Sequence, residues 1–204
     1  MPLSLLPAMA LDPAVDLPSS ELLARIRQGD REAFEQLFRT WYPRLASYAG
    51  RILQSRDAAE DAVQDVLVAL WERREKLPDG SALIGYLFRS VRNRSLNLLR
   101  QRRTQGKWLA TLEPEPTLEA EAETGIEDRE LDQAYRAALQ EISPRGREVF
   151  LLSRDHGLSY PQIAETLGIS VKTVETLMGR VLRSLRSRLM PMLKQTQTDR
   201  RVDG

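Results

Sequence analysis

Apolar residues recur along this chain every three or four positions, and no stretch alternates at period two for long enough to make a strand. The spacing predicts helices almost throughout. Leu22, Leu23 and Ile26 mark one face of a short helix that stops at Gly29. Asp30 is a candidate N-cap for a longer run in which Phe34, Leu37, Phe38, Trp41, Leu45, Tyr48, Ile52 and Leu53 share a side, with Pro43 predicting a kink or interruption. Asp57-Ala58-Ala59-Glu60 reads as a capping box, Asp57 accepting from free N–H groups and Glu60 reaching back. The helix it opens carries Val63, Val66, Leu67 and Leu70 inward. Pro78-Asp79-Gly80 then breaks the chain, and a further helix runs over about 81–103 with Leu83, Leu87, Val91 and Leu98 as core candidates.

The second half repeats the pattern with clearer punctuation. Leu131, Tyr135, Ala138, Leu139 and Ile142 predict an amphipathic helix. Ser143-Pro144 opens the next, Ser as N-cap and Pro where its missing N–H costs nothing, and that helix buries Val149, Phe150 and Leu152. It should stop at His156-Gly157, with His156 read as a terminus that the helix dipole favours. Ser159 and Gln162 form a second capping box before a short helix through Leu167. Gly168 then supplies a left-handed turn, and Ser170 caps a last long helix with Val174, Met178, Val181 and Leu185 inward.

Charge adds what periodicity cannot. The 204 residues carry a net charge of only +1, yet the charges are segregated. Residues 89–107 hold seven cations and no acid, residues 113–132 nine acids and only Arg129, and residues 172–194 six cations against Glu175. The acidic stretch begins Glu113-Pro114-Glu115-Pro116. Its repeated Glu, its prolines and its lack of aromatics predict an extended, self-repelling linker between two polyanion-binding surfaces. The expected architecture is all-α: a tail (1–18), a helical bundle (19–106), an acidic flexible linker (107–130), a four-helix domain with a helix-turn-helix (131–194) and a C-terminal tail (195–204).

Other chemistry is thinly supplied. There is no cysteine, so no disulfide or thiolate metal site, and one histidine, which argues against a His-based metal cluster or triad. No cofactor is expected. No apolar run approaches the roughly 20 residues that span a bilayer. The first eighteen residues lack the basic start of a secretory signal, so a cytoplasmic protein without stable membrane insertion is expected.

Residues 160–182 carry the sharpest signal. A short helix, a three-residue turn (Gly168-Ile169-Ser170) and a second helix match a DNA-reading helix-turn-helix. Ala164 is small where the helices cross, and Ile163, Leu167, Ile169 and Val174 form the minicore. Val171, Lys172, Thr173, Glu175, Thr176, Gly179, Arg180 and Arg183 then face outward. Early positions of such a helix enter the major groove, which makes Lys172, Thr173, Glu175 and Thr176 candidate base readers. Arg180 and Arg183 suit phosphates.

At this point the chain resembles a known family. Arg147-Glu148-Val149-Phe150, Gly157-Leu158-Ser159-Tyr160 and Ile163-Ala164-Glu165 are similar to the C-terminal domain of bacterial sigma factors. Asp57-Ala58-Ala59-Glu60-Asp61-Ala62-Val63-Gln64-Asp65 is similar to their core-polymerase-binding helix, and Tyr86-Leu87-Phe88-Arg89, with Arg92-Asn93 and Leu99-Arg100, to their promoter-melting segment. Two such domains and a short linker resemble the extracytoplasmic-function (ECF) group of the sigma-70 family. The resemblance covers roughly residues 20–190. It implies binding to core RNA polymerase through the β′ and β subunits, with Asp61, Gln64 and Asp65 on a β′ coiled coil. It also implies promoter DNA as a partner: a −10 element opened by Tyr86, Arg89, Arg92, Asn93, Asn97 and Arg100, and a −35 element read from 172–183. Tyr86 stands where relatives often have Trp, and Asn97 where Asp is common. A sequestering anti-sigma factor and an acidic linker that threads towards the polymerase active centre follow from the same resemblance.

Two rivals remain. A helix-turn-helix regulator acting without sigma activity would carry an N-terminal sensing domain, and the first hundred residues lack the alternating strands and helices of a receiver domain. A carboxylate-dependent enzyme would use Asp57, Glu60, Asp61 and Asp65 on Mg²⁺, but on one helix these residues drift around the surface with no His or Lys beside them. Intrinsic catalysis is not expected.

Overall fold

A computed structural model describes residues 18–106, 137–139 and 141–202, and every regular element among them is helical. The expected N-terminal tail, the acidic linker 107–130, Leu131 and Tyr135 lie outside the described residues, apart from Pro18 at the tail's edge. We number the helices α1 (Ser20–Arg27), α2 (Arg31–Leu53), α3 (Arg56–Glu72), α4 (Gly80–Gly106), α5 (Pro144–Arg154), α6 (Tyr160–Leu167) and α7 (Val171–Val202); a single 3-10 turn, Arg74–Lys76, follows α3.

Caps set most of these boundaries. Asp30 accepts from Glu32 N and Ala33 N, and those backbone bonds, with the Arg25 ion pair, hold its carboxyl below the usual range. Ser143 accepts from Gly146 N, and Pro144 occupies the first turn of α5. Gln162 closes its capping box by accepting the Ser159 N–H at 2.8 Å. Gly168 ends α6 at φ 64°, a left-handed geometry that side-chain-bearing residues resist.

Three expectations need correction. Ser55, not Asp57, caps α3: its side chain accepts from Ala58 N, while Asp57 lies inside the first turn and Glu60 pairs with Arg56 at 2.8 Å. Pro43 does not interrupt α2, which runs through it. Its ring faces solvent, so water can serve the carbonyl its missing N–H leaves, and buried Trp41, Leu45 and Tyr48 hold the helix on both sides. α5 ends at Arg154, two residues before the expected stop, and His156 lies buried beyond its end.

The first bundle packs Leu23 and Ile26 of α1 against Leu37, Trp41 and Leu45 of α2, Val63, Leu67 and Leu70 of α3, and Leu83, Leu87 and Phe88 of α4. Phe88 meets the edge of Trp41 at 6.5 Å. In the second unit Val149 and Phe150 of α5, Ile163 of α6, and Val174 and Val181 of α7 are buried together, with Ile169 packed against them as the minicore requires. The two units are in contact: α6 lies along the first half of α4, and buried residues of both belong to one continuous core. No described helix is long and apolar enough to cross a membrane.

Candidate nucleic-acid and partner interfaces

α3 presents its polar face away from the bundle. Asp61, Gln64 and Asp65 are exposed, while Val63 and Leu70 behind them are buried and Val66 is half-buried. Glu72 continues the face, and Val68, 58% exposed, sits within it four residues after Gln64 and three after Asp65. Sequence reasoning missed Val68, although its helical spacing from those two residues places it there. Val68 thus gives this otherwise charged and polar face one apolar point. Asp65 is not free: Arg94 of α4 donates to it from Nε at 2.9 Å and Nη2 at 2.5 Å. Glu60 and Asp65 thus answer separate arginines and do not converge on a shared ion.

α4 carries the first cationic surface. Tyr86, Arg89, Asn93, Asn97 and Arg100 succeed one another at three- and four-residue steps, so they form one stripe along the helix. Tyr86 is half-buried and the other four are exposed, with Arg100 donating to Asn97 at 2.7 Å. Phe88 is the core aromatic of the pair, fully buried.

Arg92 departs from the stripe. One residue before Asn93, it points about 100° away from the middle of that line and donates to Glu148 of α5 at 2.8 Å. Burial works against its charge, but the Glu148 bond and carboxylate outweigh it and raise its pKa overall. Tyr48 of α2 donates to the same carboxylate oxygen at 3.1 Å, and Arg145 approaches the other at 3.3 Å. Tyr48 is buried, which together with the Glu148 charge drives its hydroxyl pKa upward and fixes it as a donor. Sequence reasoning assigned Glu148 no role; it belongs to a quoted motif, but its partners lie 56 and 100 residues away.

The helix-turn-helix is built as expected. Lys172, Thr173, Glu175, Thr176, Arg180 and Arg183 are all exposed on α7, joined by Val171 and Leu182. Ser170 accepts from Thr173 N at 3.1 Å and pairs with its hydroxyl at 2.8 Å, which fixes the first turn. Thr176 donates to the Lys172 carbonyl, and Lys172 stands 3.7 Å from Glu175. A Cβ at Gly179 would meet nothing within 4 Å, so no packing among the described residues explains a mid-helix glycine that costs about 1 kcal/mol.

These two surfaces, one on each side of the linker, define a DNA-binding factor of two helical modules. Comparison with known proteins agrees. The family model for sigma-70 region 2 matches residues 37–105, and that for sigma-70 region 4 matches residues 132–185. The sigma factor CarQ of Myxococcus xanthus is 30% identical over 148 residues, covering 72% of this chain and 84% of CarQ. The ECF sigma factor SigM of Mycobacterium tuberculosis is 29% identical over 200 residues, covering 97% and 95%. Among solved structures, sigma factor RpoE bound to the anti-sigma factor NepR, from Bartonella quintana, superposes with a TM-score of 0.59 at 27% identity, over 77% of this chain and 96% of RpoE. The chain belongs to the ECF group of the sigma-70 family.

Proposed function

We propose that this protein docks on core RNA polymerase through α3 and delivers it to promoters by reading a −35 element with α7 and opening a −10 element with the α4 stripe. The observation that carries the reading is the division of labour between neighbouring helices: an acidic face with an apolar centre on α3 beside a cationic face on α4, with a separate exposed recognition helix on α7. Asp61, Gln64 and Asp65 supply the docking carboxylates and amide, and Val68 an apolar anchor among them. Tyr86 suits stacking on an exposed base, while Arg89 and Arg100 neutralise phosphates and Asn93 and Asn97 offer hydrogen bonds to bases. Lys172, Thr173, Glu175 and Thr176 are positioned to read base edges, with Arg180 and Arg183 on the backbone. The units 19–106 and 131–194 are the functional domains. Polymerase supplies the chemistry, so the protein works in the cytoplasm without a cofactor. A polypeptide anti-sigma partner is supported by the NepR-bound relative.

Run-off transcription with purified core enzyme on a pool of genomic promoters tests this. Wild type should add site-selective initiation. The pair Asp61→Ala and Asp65→Ala should lose co-elution with core while still binding duplex DNA; Arg180→Ala and Arg183→Ala should do the reverse. Specific binding to a palindrome without polymerase, and no added initiation with it, would favour a stand-alone regulator instead.

A further inference from the structure

Gly179 has no use inside the described part of the chain. It lies within α7 with ordinary helical backbone, so any L residue could take its conformation. Two other helical glycines are explained by their neighbours: a Cβ would lie 2.6 Å from Glu165 Oε2 at Gly85, and 3.0 Å from Ile142 Cγ2 at Gly146. At Gly179 it would meet no atom within 4 Å, so α7 gives up helix stability there with no return from packing. The place of the gap is informative. Lys172, Thr176, Gly179 and Arg183 follow at steps of four, three and four residues, which makes them one stripe on the solvent side of α7. Gly179 thus separates Thr176, a candidate base reader, from Arg183, a candidate phosphate binder. The Arg183 side chain folds back over the gap, its Nε donating to the Gly179 carbonyl at 3.2 Å. Arg180, beside it, is exposed. Glu175 is the one acid between residues 172 and 188, and Lys172 stands 3.7 Å from it. The result is a bare piece of helix backbone rimmed by cations.

We propose that Gly179 is a notch that seats the sugar–phosphate backbone of the −35 duplex, and so a positioning residue that sets how deeply α7 enters the major groove. The proposal rests on the −35 reading of the preceding section and extends it to a residue that has no side chain. Dimensions support it. With its side chains an α-helix is about 10–12 Å across, and the major groove is about 12 Å wide. A recognition helix therefore has almost no clearance against the groove walls. Gly179 lies eight residues beyond Val171, about 12 Å along the axis at 1.5 Å per residue. There the helix passes from base edges to the strand that borders the groove. Without a Cβ, the Cα hydrogens of residue 179 can meet a backbone oxygen at about 3.3–3.6 Å. A methyl group, about 1.5 Å from Cα, would take up that space. Arg183, already drawn over the notch, has only to exchange the carbonyl for a phosphate oxygen, a stronger acceptor.

Stability and binding should move in opposite directions when the notch is filled, and a merely structural glycine would not divide them. Gly179→Ala should raise the thermal midpoint by about 2–4 °C, because the helix gains and nothing in the chain clashes. The same variant should bind about tenfold more weakly to a short duplex carrying the −35 element of a promoter that wild type uses, measured by fluorescence anisotropy; overfilling a close-fitted contact costs on that order. Gly179→Leu, a good helix former with a longer side chain, should stay folded and lose more. Run-off initiation from that promoter should fall in parallel, with co-elution with core polymerase unchanged. Duplex affinity equal to wild type in both variants overturns the notch. Retained duplex affinity with weakened co-elution also overturns it, and assigns the gap to a protein surface instead. If wild type itself selects no promoter, the −35 reading fails and takes the notch with it; if wild type selects one and both variants match it, only the notch fails.

Discussion

The cationic faces of α4 and α7 have similar composition and opposite degrees of freedom. On α7 the candidate readers stand in solvent, and their hydrogen bonds, where they have them, stay within α7 and its capping residue Ser170. On α4 two of the arginines are already committed: Arg94 to Asp65 on α3, Arg92 to Glu148 across the linker. The α7 reading face has its cations free of the rest of the molecule, whereas two cations of α4 are answered by carboxylates on neighbouring helices. Charge counted along a sequence does not distinguish these cases; the partner that neutralises each charge does.

Removing the hub of the α4 side is the most severe way to break this comparison. Phe88→Ala deletes a ring packed on Trp41, Tyr48 and His156 at once, and should cost about 3–5 kcal/mol of stability by urea unfolding. A loss below 1 kcal/mol would mean that α4 is not anchored through this ring.

Acid attacks the same cluster more gently. Burial, and next the charge of Arg51, lower the His156 pKa to about 4, with Arg44 adding to the effect and Asp155 opposing it. Tyr48 faces the ring as a neutral donor. An unfolded chain takes up the proton near pH 6.5 and the folded chain does not, so stability falls as pH drops from about 6.5 to 4, by about 3 kcal/mol in all. Above pH 6.5 this contribution is fully present. Urea midpoints at pH 7 and 5 should show the drop, and His156→Leu should flatten it. An equal drop in that variant would place the sensitivity elsewhere.

Single arginines sharpen the contrast. Arg92→Ala should destabilise the free protein by about 1–2 kcal/mol, because it removes the nearer of the two arginines that answer a partly buried carboxylate, whereas Arg183→Ala should stay within about 0.5 kcal/mol of wild type. Equal thermal shifts would erase the distinction. The smallest effect belongs to Arg180→Ala, which should leave folding unchanged and make the salt dependence of −35 duplex binding shallower by about one unit. An unchanged slope would take Arg180 off the phosphates.

Local signals made the helices legible. Ser143-Pro144, the Ser159–Gln162 box and Gly168 each satisfy or terminate backbone hydrogen bonds within four residues of themselves, so the sequence carries them openly. The α3 cap was misplaced because Ser55 and Asp57 are both good caps two residues apart, and only the observed bond to Ala58 separates them. The exposed faces of α3 and α7 were also legible, since burial at three-to-four spacing leaves the remaining positions outward. The contact between the two units was not. Arg92, Glu148 and Tyr48 are distant in sequence and leave no period, and His156 is buried only because the other half of the chain covers it.

The stripe on α4 also acts as a ruler. From Tyr86 to Arg100 it measures about 21 Å at 1.5 Å per residue, the length of roughly six stacked nucleotides at 3.4 Å each. With Arg92 and Arg94 pulled aside to its two flanks, it is a single side chain wide, a gauge suited to one strand and too narrow to hold a duplex. On the function proposed above, the footprint this helix could claim unaided is about half a dozen bases of a separated strand, and longer protection of melted DNA would have to come from the polymerase.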